Sequence, residues 1–158
     1  MKKMFIILSV ASLTLGAKEL NLDRMSVYPG DYRHCYQKHV LSRTAEMKSV
    51  CIYNWINVKE GGSMTLLLKY RLSKGLTASI SLNFMKEKGR NGDAGNIQFK
   101  LPEGTGEIVE TKHGFKLPRN AYQAQVVISL PGGDAKIELE KISFEIVPAK
   151  TEGKSPEK

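Results

Sequence analysis

The side chains best able to do chemistry stand in two groups. The first holds Cys35 and Cys51, the two cysteines of the chain, with His34 and His39 near the former. A thiolate next to an imidazole is a nucleophile, and thiolates with imidazoles also ligate zinc. His34 adjoins Cys35, however, and in a strand neighbouring side chains point to opposite faces. That argues against both a catalytic pair and a shared metal site. In an oxidising compartment an even pair of cysteines becomes a disulfide, and closing a loop of this length constrains the unfolded chain by about 3 kcal/mol in the entropic account. A Cys35–Cys51 disulfide is therefore expected.

The second group centres on Tyr53 and Trp55. Val50, Ile52, Ile56 and Val58 share one parity of a strand, together with Asn54. If that parity faces the core, Cys51, Tyr53, Trp55 and Asn57 face out. Exposed aromatics form a platform for the apolar faces of sugar rings. Arg71, Asn83, Gln123 and Gln125, on the polar faces of other strands, are planar multi-donor groups suited to hydroxyls. The alternative is that Trp55 packs under a loop or completes the core, as a lone Trp in a small domain commonly does. Asn91 to Asn96 superficially resembles a calcium loop but lacks its acidic spacing and closing Glu, so it reads as a hairpin loop. Gly104-Thr105-Gly106 has neither a third glycine nor a strand-to-helix context, and it is discarded as a phosphate loop. No Ser/His/Asp set is placed to suggest an enzyme. Paired glycosidase carboxylates, which need not be close in sequence, stay open.

These residues need rigid strands to hold them, and the chain supplies strands throughout. From Ala121 to Leu130, Tyr122, Ala124, Val126, Ile128 and Leu130 alternate with Gln123, Gln125 and Ser129. Pro131 to Asp134 makes a turn. Ala135, Ile137 and Leu139 then lie on one parity and Ile142, Phe144 and Ile146 on the other, so a β-bulge near Glu140-Lys141 must restore the facing. Leu66, Leu68, Tyr70 and Leu72 form one such face; Ala78, Ile80, Leu82 and Phe84 form another. One opening strand falls between Leu20 and Tyr28, another at Tyr32 to Lys38, and shorter ones at Asn96 to Leu101 and Gly106 to Thr111. Ser42 to Lys48 holds a turn or a short helical piece. No window shows an apolar stripe at helical spacing. Short strands with Gly/Pro turns about every ten residues predict an all-β antiparallel sandwich or barrel, with one face of each sheet wet.

The ends read differently. Lys2 and Lys3 precede the apolar run Phe5 to Leu15, and Ala17 offers a small residue at the cut, which is a secretory signal peptide over 1–17. The run is too short to span a bilayer, for which about 20 residues are needed. Residues 18–148 form the expected single domain, and the charged stretch 149–158 an expected disordered tail. Of 24 basic residues two leave with the signal, and the remaining 22 against 16 acidic ones give a net +6. The excess is scattered, and with export it argues against nucleic acid.

From Val50 to Val147 the chain resembles the jelly-roll carbohydrate-binding modules of bacterial secreted enzymes and their galactose-binding-like relatives. The likeness lies in Ile56-Asn57-Val58-Lys59-Glu60-Gly61-Gly62, a strand ending in a polar-Gly turn. It continues in Leu68 to Leu72 with Ala78 to Phe84, similar to a central strand pair, and in Phe115-Lys116-Leu117-Pro118. Ile137 to Phe144 looks like the bulged closing strand. The resemblance implies a jelly roll and a periplasmic or secreted module that binds a polysaccharide or oligosaccharide without catalysis. An envelope module that docks a protein is the other reading. The family commonly holds a structural calcium; Glu138 and Glu140 stand where its closing strand has aspartates. No clear ligand set is found, and no cofactor is expected.

Overall fold

A computed structural model describes residues 15–58, 61–88 and 90–148. The chain folds into two antiparallel sheets packed face to face, a β-sandwich, as the alternation predicts. Its strands are β1 (Leu15–Glu19), β2 (Ser26–Tyr28), β3 (Tyr36–Gln37), β4 (Val40–Arg43), β5 (Val50–Asn57) and β6 (Gly61–Leu72). They continue with β7 (Ser79–Met85), β8 (Gly95–Lys100), β9 (Ile108–Lys116), β10 (Gln123–Leu130) and β11 (Ala135–Pro148). The five-stranded sheet runs β2-β5-β10-β7-β8. The six-stranded sheet runs β3-β4-β11-β6-β9, with β1 also on β11.

The parity read from the sequence decides what lies between the sheets. Ile52, Ile80, Leu82, Phe84, Val126 and Ile128 face inward from one sheet; Leu66, Leu68, Ile142, Phe144 and Ile146 meet them from the other. Each fully buried large apolar side chain contributes about 1.5–3 kcal/mol, so this layer dominates the stability. The long closing strand keeps its facing because the β11–β6 register shifts between Leu139 and Lys141, at the expected bulge.

Three expectations are corrected. Tyr32 to Lys38 is not a strand: Pro29 opens a 3-10 helix over Gly30–Cys35, started by the Tyr32 N–H donating to the Pro29 carbonyl at 3.0 Å, and only Tyr36–Gln37 pairs. The preset φ of Pro29 and the run Gly30-Asp31 favour that tight turn over extension. The strand expected at Gly106 to Thr111 lies at Ile108–Lys116; polar Thr111 and His113 take inward positions between Val109 and Phe115, so the apolar alternation that marks a strand is broken there. The disulfide is also absent. Cys35 and Cys51 are free thiols. Cys35 is buried at the end of the 3-10 helix, its sulfur 3.7 Å from that of Met47. Cys51 alternates onto the far side of β5, between Tyr28 and Ser129. Burial pushes both thiols up, which keeps them protonated and unreactive.

The expected signal peptide lies mostly outside the described residues, as does the 149–158 tail. A cut after Ala17 would fall within β1 and leave Lys18 and Glu19 in register with Phe144 and Ser143. Among the described residues no helix is long and apolar enough to cross a membrane.

Candidate ligand-binding face

The outer face of the five-stranded sheet is assembled by register. Across the strands run Tyr28, Cys51, Ser129, Ser79 and Lys100; then Ser26, Tyr53, Val127, Ser81 and Gln98; then Trp55, Gln125, Asn83 and Asn96; then Asn57, Gln123 and Met85. Strands lie about 4.8 Å apart, so the row from Trp55 to Asn96 spans about 14 Å. Among these described positions Lys100, at the rim, is the one charged residue. Tyr53, Trp55, Asn83, Gln123 and Gln125, all expected as site residues, share this face.

Trp55 is 38% exposed, so it does not complete the core. Its backbone N–H is capped at 2.8 Å by the Asn54 side-chain oxygen. That matters because β2 pairs only as far as Tyr53, leaving the rest of β5 as a sheet edge that needs protection. Trp55 borders a crevice of about 270 Å³ between β5 and β1, shared with Lys18, Glu19, Asn21, Asn54 and Asn57.

The amides are pre-set. The Gln125 Oε1 accepts from Asn91 Nδ2 at 2.6 Å and from Asn83 Nδ2 at 3.4 Å. With that oxygen engaged, Gln125 still has the two donors of its NH2 group, and the Asn83 and Asn91 oxygens still have acceptor capacity. Asn91 was missed by sequence reasoning. It sits in the β7–β8 loop, and its partner is 34 residues away; loop residues carry no periodicity that would reveal such a reach.

Arg71 does not join the group. It lies on β6, in the other sheet, facing outward beside Glu138 at 3.7 Å. That outer face carries several ion pairs: Lys69 also meets Glu140 at 2.7 Å, and Lys141 meets Glu19 at 2.5 Å. The hydrogen bond to Glu140 first, and its charge second, push the Lys69 ammonium pKa up. Glu138 and Glu140 thus serve ion pairs. Among the described residues no three His, Cys, Asp or Glu are gathered into one group. Gly104, set aside as a phosphate loop, has a backbone role. A Cβ there would lie 2.2 Å from the Ser73 carbonyl oxygen, so the loop after β8 requires glycine.

No protein-family model and no curated protein matches this chain by sequence. Solved structures do match by shape. A CBM4 module superposes with a TM-score of 0.52 at 11% identity, over 82% of this chain and 89% of its own. The fold is that of the jelly-roll carbohydrate-binding modules. The enzymatically active domain of the bacteriophage CBA120 tailspike protein 4 superposes with a TM-score of 0.58 at 17% identity. There the match covers 68% of this chain and 15% of the tailspike chain, so this domain corresponds to a small part of that protein.

Proposed function

We propose that this chain is an exported, non-catalytic glycan-binding module whose outer five-stranded face holds the sugar chain. The observation that carries this reading is the composition of that face. It offers an exposed Trp, a half-buried Tyr and amides fixed by one another, with a single charge at its rim. Sugar rings bury their C–H faces on aromatics and exchange hydrogen bonds with amides. An uncharged polyol needs nothing more. The shared fold with a CBM4 module is in keeping with this.

The same composition supports the non-catalytic reading. Glycoside hydrolysis usually takes two carboxyl groups flanking the bond, and the paired positions of this face hold neither Asp nor Glu. Lys2, Lys3 and the apolar run to Leu15 support export. Each net hydrogen bond contributes about 1 kcal/mol, so affinity should grow with chain length. A glycan array probed with the secreted chain and with Trp55→Ala tests the reading. Retention of a defined polysaccharide by the first and not the second supports it. An empty array, with an envelope protein captured instead, would replace it with a docking role.

A further inference from the structure

One end of the face opens into a second site. Tyr53 stands on the outer face next to Ser26 and also lines a cleft of about 370 Å³ at the β2 edge, with Asp23, Arg33 and Tyr36. The volume falls in the range of small-ligand sites. Tyr36 is fixed there, its O–H donating to the Leu22 carbonyl at 2.9 Å. Burial, and secondarily the Asp23 charge, push its pKa up to about 12, so it stays a neutral wall. Asp23 brings a carboxylate to the same cleft, largely exposed and with its Oδ1 2.8 Å from His39 Nε2, so an incoming acid must lie on the Arg33 side, away from it. Arg33 is exposed and takes part in none of the ion pairs among the described residues. Its guanidinium carries five donors and no acceptor, and its fork geometry matches a carboxylate.

We propose that this cleft is a subsite for an acid-bearing sugar, with the ring against Tyr53 and Tyr36 and the carboxylate on Arg33. The inference rests on the glycan-binding reading and deepens it: the face takes the neutral run of a chain, and the cleft takes a uronate at its end or branch. The Ser26 hydroxyl adds one further donor or acceptor at the join. Charge-assisted hydrogen bonds are about twice as strong as neutral ones, so the acid, rather than the ring, decides which sugar occupies the cleft.

The test is an NMR titration of the secreted chain with methyl glucuronide, methyl glucoside and inorganic phosphate as separate probes. The glucuronide should bind about tenfold or more tightly than the glucoside, with shifts at Tyr53 and Ser26, and phosphate should bind weakly. Arg33→Gln should bring glucuronide down to the glucoside level, and Arg33→Lys should recover only part of the difference. Both variants should keep the parent melting temperature, because Arg33 is exposed. Equal binding of the two sugars, an unchanged preference in Arg33→Gln, or phosphate binding as tight as glucuronide would overturn the proposal. If a neutral polysaccharide is retained through Trp55 while the glucuronide is ignored, the cleft fails and the face stands. If the glucuronide binds at Arg33 while no polysaccharide depends on Trp55, the cleft stands and the face fails.

Discussion

The two outer faces of this sandwich are built on the same alternation yet differ in chemistry. On the six-stranded sheet the outward residues include Lys69, Arg71, Glu138 and Lys141, and these meet opposite charges from the same surface. Their hydrogen-bonding capacity is directed at one another and at water. On the five-stranded sheet the outward residues are mostly amides, hydroxyls and aromatics, with Cys51, Val127 and Met85 among them and Lys100 at the rim. They order each other through Gln125 but leave donors and acceptors pointing outward. A strand needs only that its outward side be wettable, so both compositions satisfy folding equally well. The difference is therefore not demanded by the fold, which makes the uncharged face the better place to look for a ligand.

The comparison breaks first if the faces do not share one core. Leu82→Ala, beneath the uncharged face, and Leu68→Ala, beneath the charged one, should each cost about 2–5 kcal/mol in chemical denaturation. Both side chains are fully buried, and each loss should appear as a single cooperative transition. A second transition in either variant would mean that the sheets unfold separately.

Trp55→Ala should lower glycan retention about tenfold or more while leaving the melting temperature nearly unchanged, because the ring is partly in solvent. Lys69→Ala, on the opposite face, should leave retention where it was. Affinity electrophoresis in a polysaccharide gel compares the two directly; a loss of mobility shift in the Lys69 variant would erase the distinction between faces.

A smaller effect lies at the seam where the sheet edges meet. His113 of β9 stacks on Phe99 of β8, ring centroids 4.1 Å apart, and its Nε2 is buried without a partner among the described residues. Burial holds its pKa below the ordinary 6.5. Below pH 6.5 the unfolded chain therefore takes up a proton that the native state resists, and stability should fall as pH drops. His113→Gln should flatten that part of the pH–stability curve. An unchanged slope would move its origin to another group.

The smallest effect belongs to the charged face. The pairs Lys69–Glu140 and Arg71–Glu138 are well solvated, so Glu140→Gln should shift the unfolding midpoint far less than either Leu variant, and 1 M salt should remove the difference. A shift that persists in high salt would show a structural role for the pair.

What was legible in the sequence follows from the same geometry. Period two tells whether a side chain points in or out, and for Leu82, Val126 and Ile142 that is sufficient to place it in the core. The slip at Glu140-Lys141 was readable because the apolar parity changes there. Period two does not say which sheet a strand joins. Arg71 and Gln125 are both outward, and only the pairing of β6 with β11 and of β10 with β7 separates them. Asn91 escaped because a loop residue is placed by one long-range contact. The cysteine expectation rested on compartment and count alone, neither of which brings two sulfurs together. Between Leu22 and Gln37 two 3-10 turns interrupt strands of only two or three residues, and so the segment that forms the Arg33 cleft left no period to read.

The central claim is that a neutral sugar chain binds on the five-stranded face and leaves the charged face of the six-stranded sheet untouched. A backbone and side-chain amide shift map, recorded while titrating an oligosaccharide found on the array, tests it most directly. The account predicts shifts at Trp55, Asn83, Asn91, Gln123 and Gln125, with Lys69, Arg71 and Lys141 unmoved. Shifts centred on those three, with Trp55 and Gln125 silent, would contradict it.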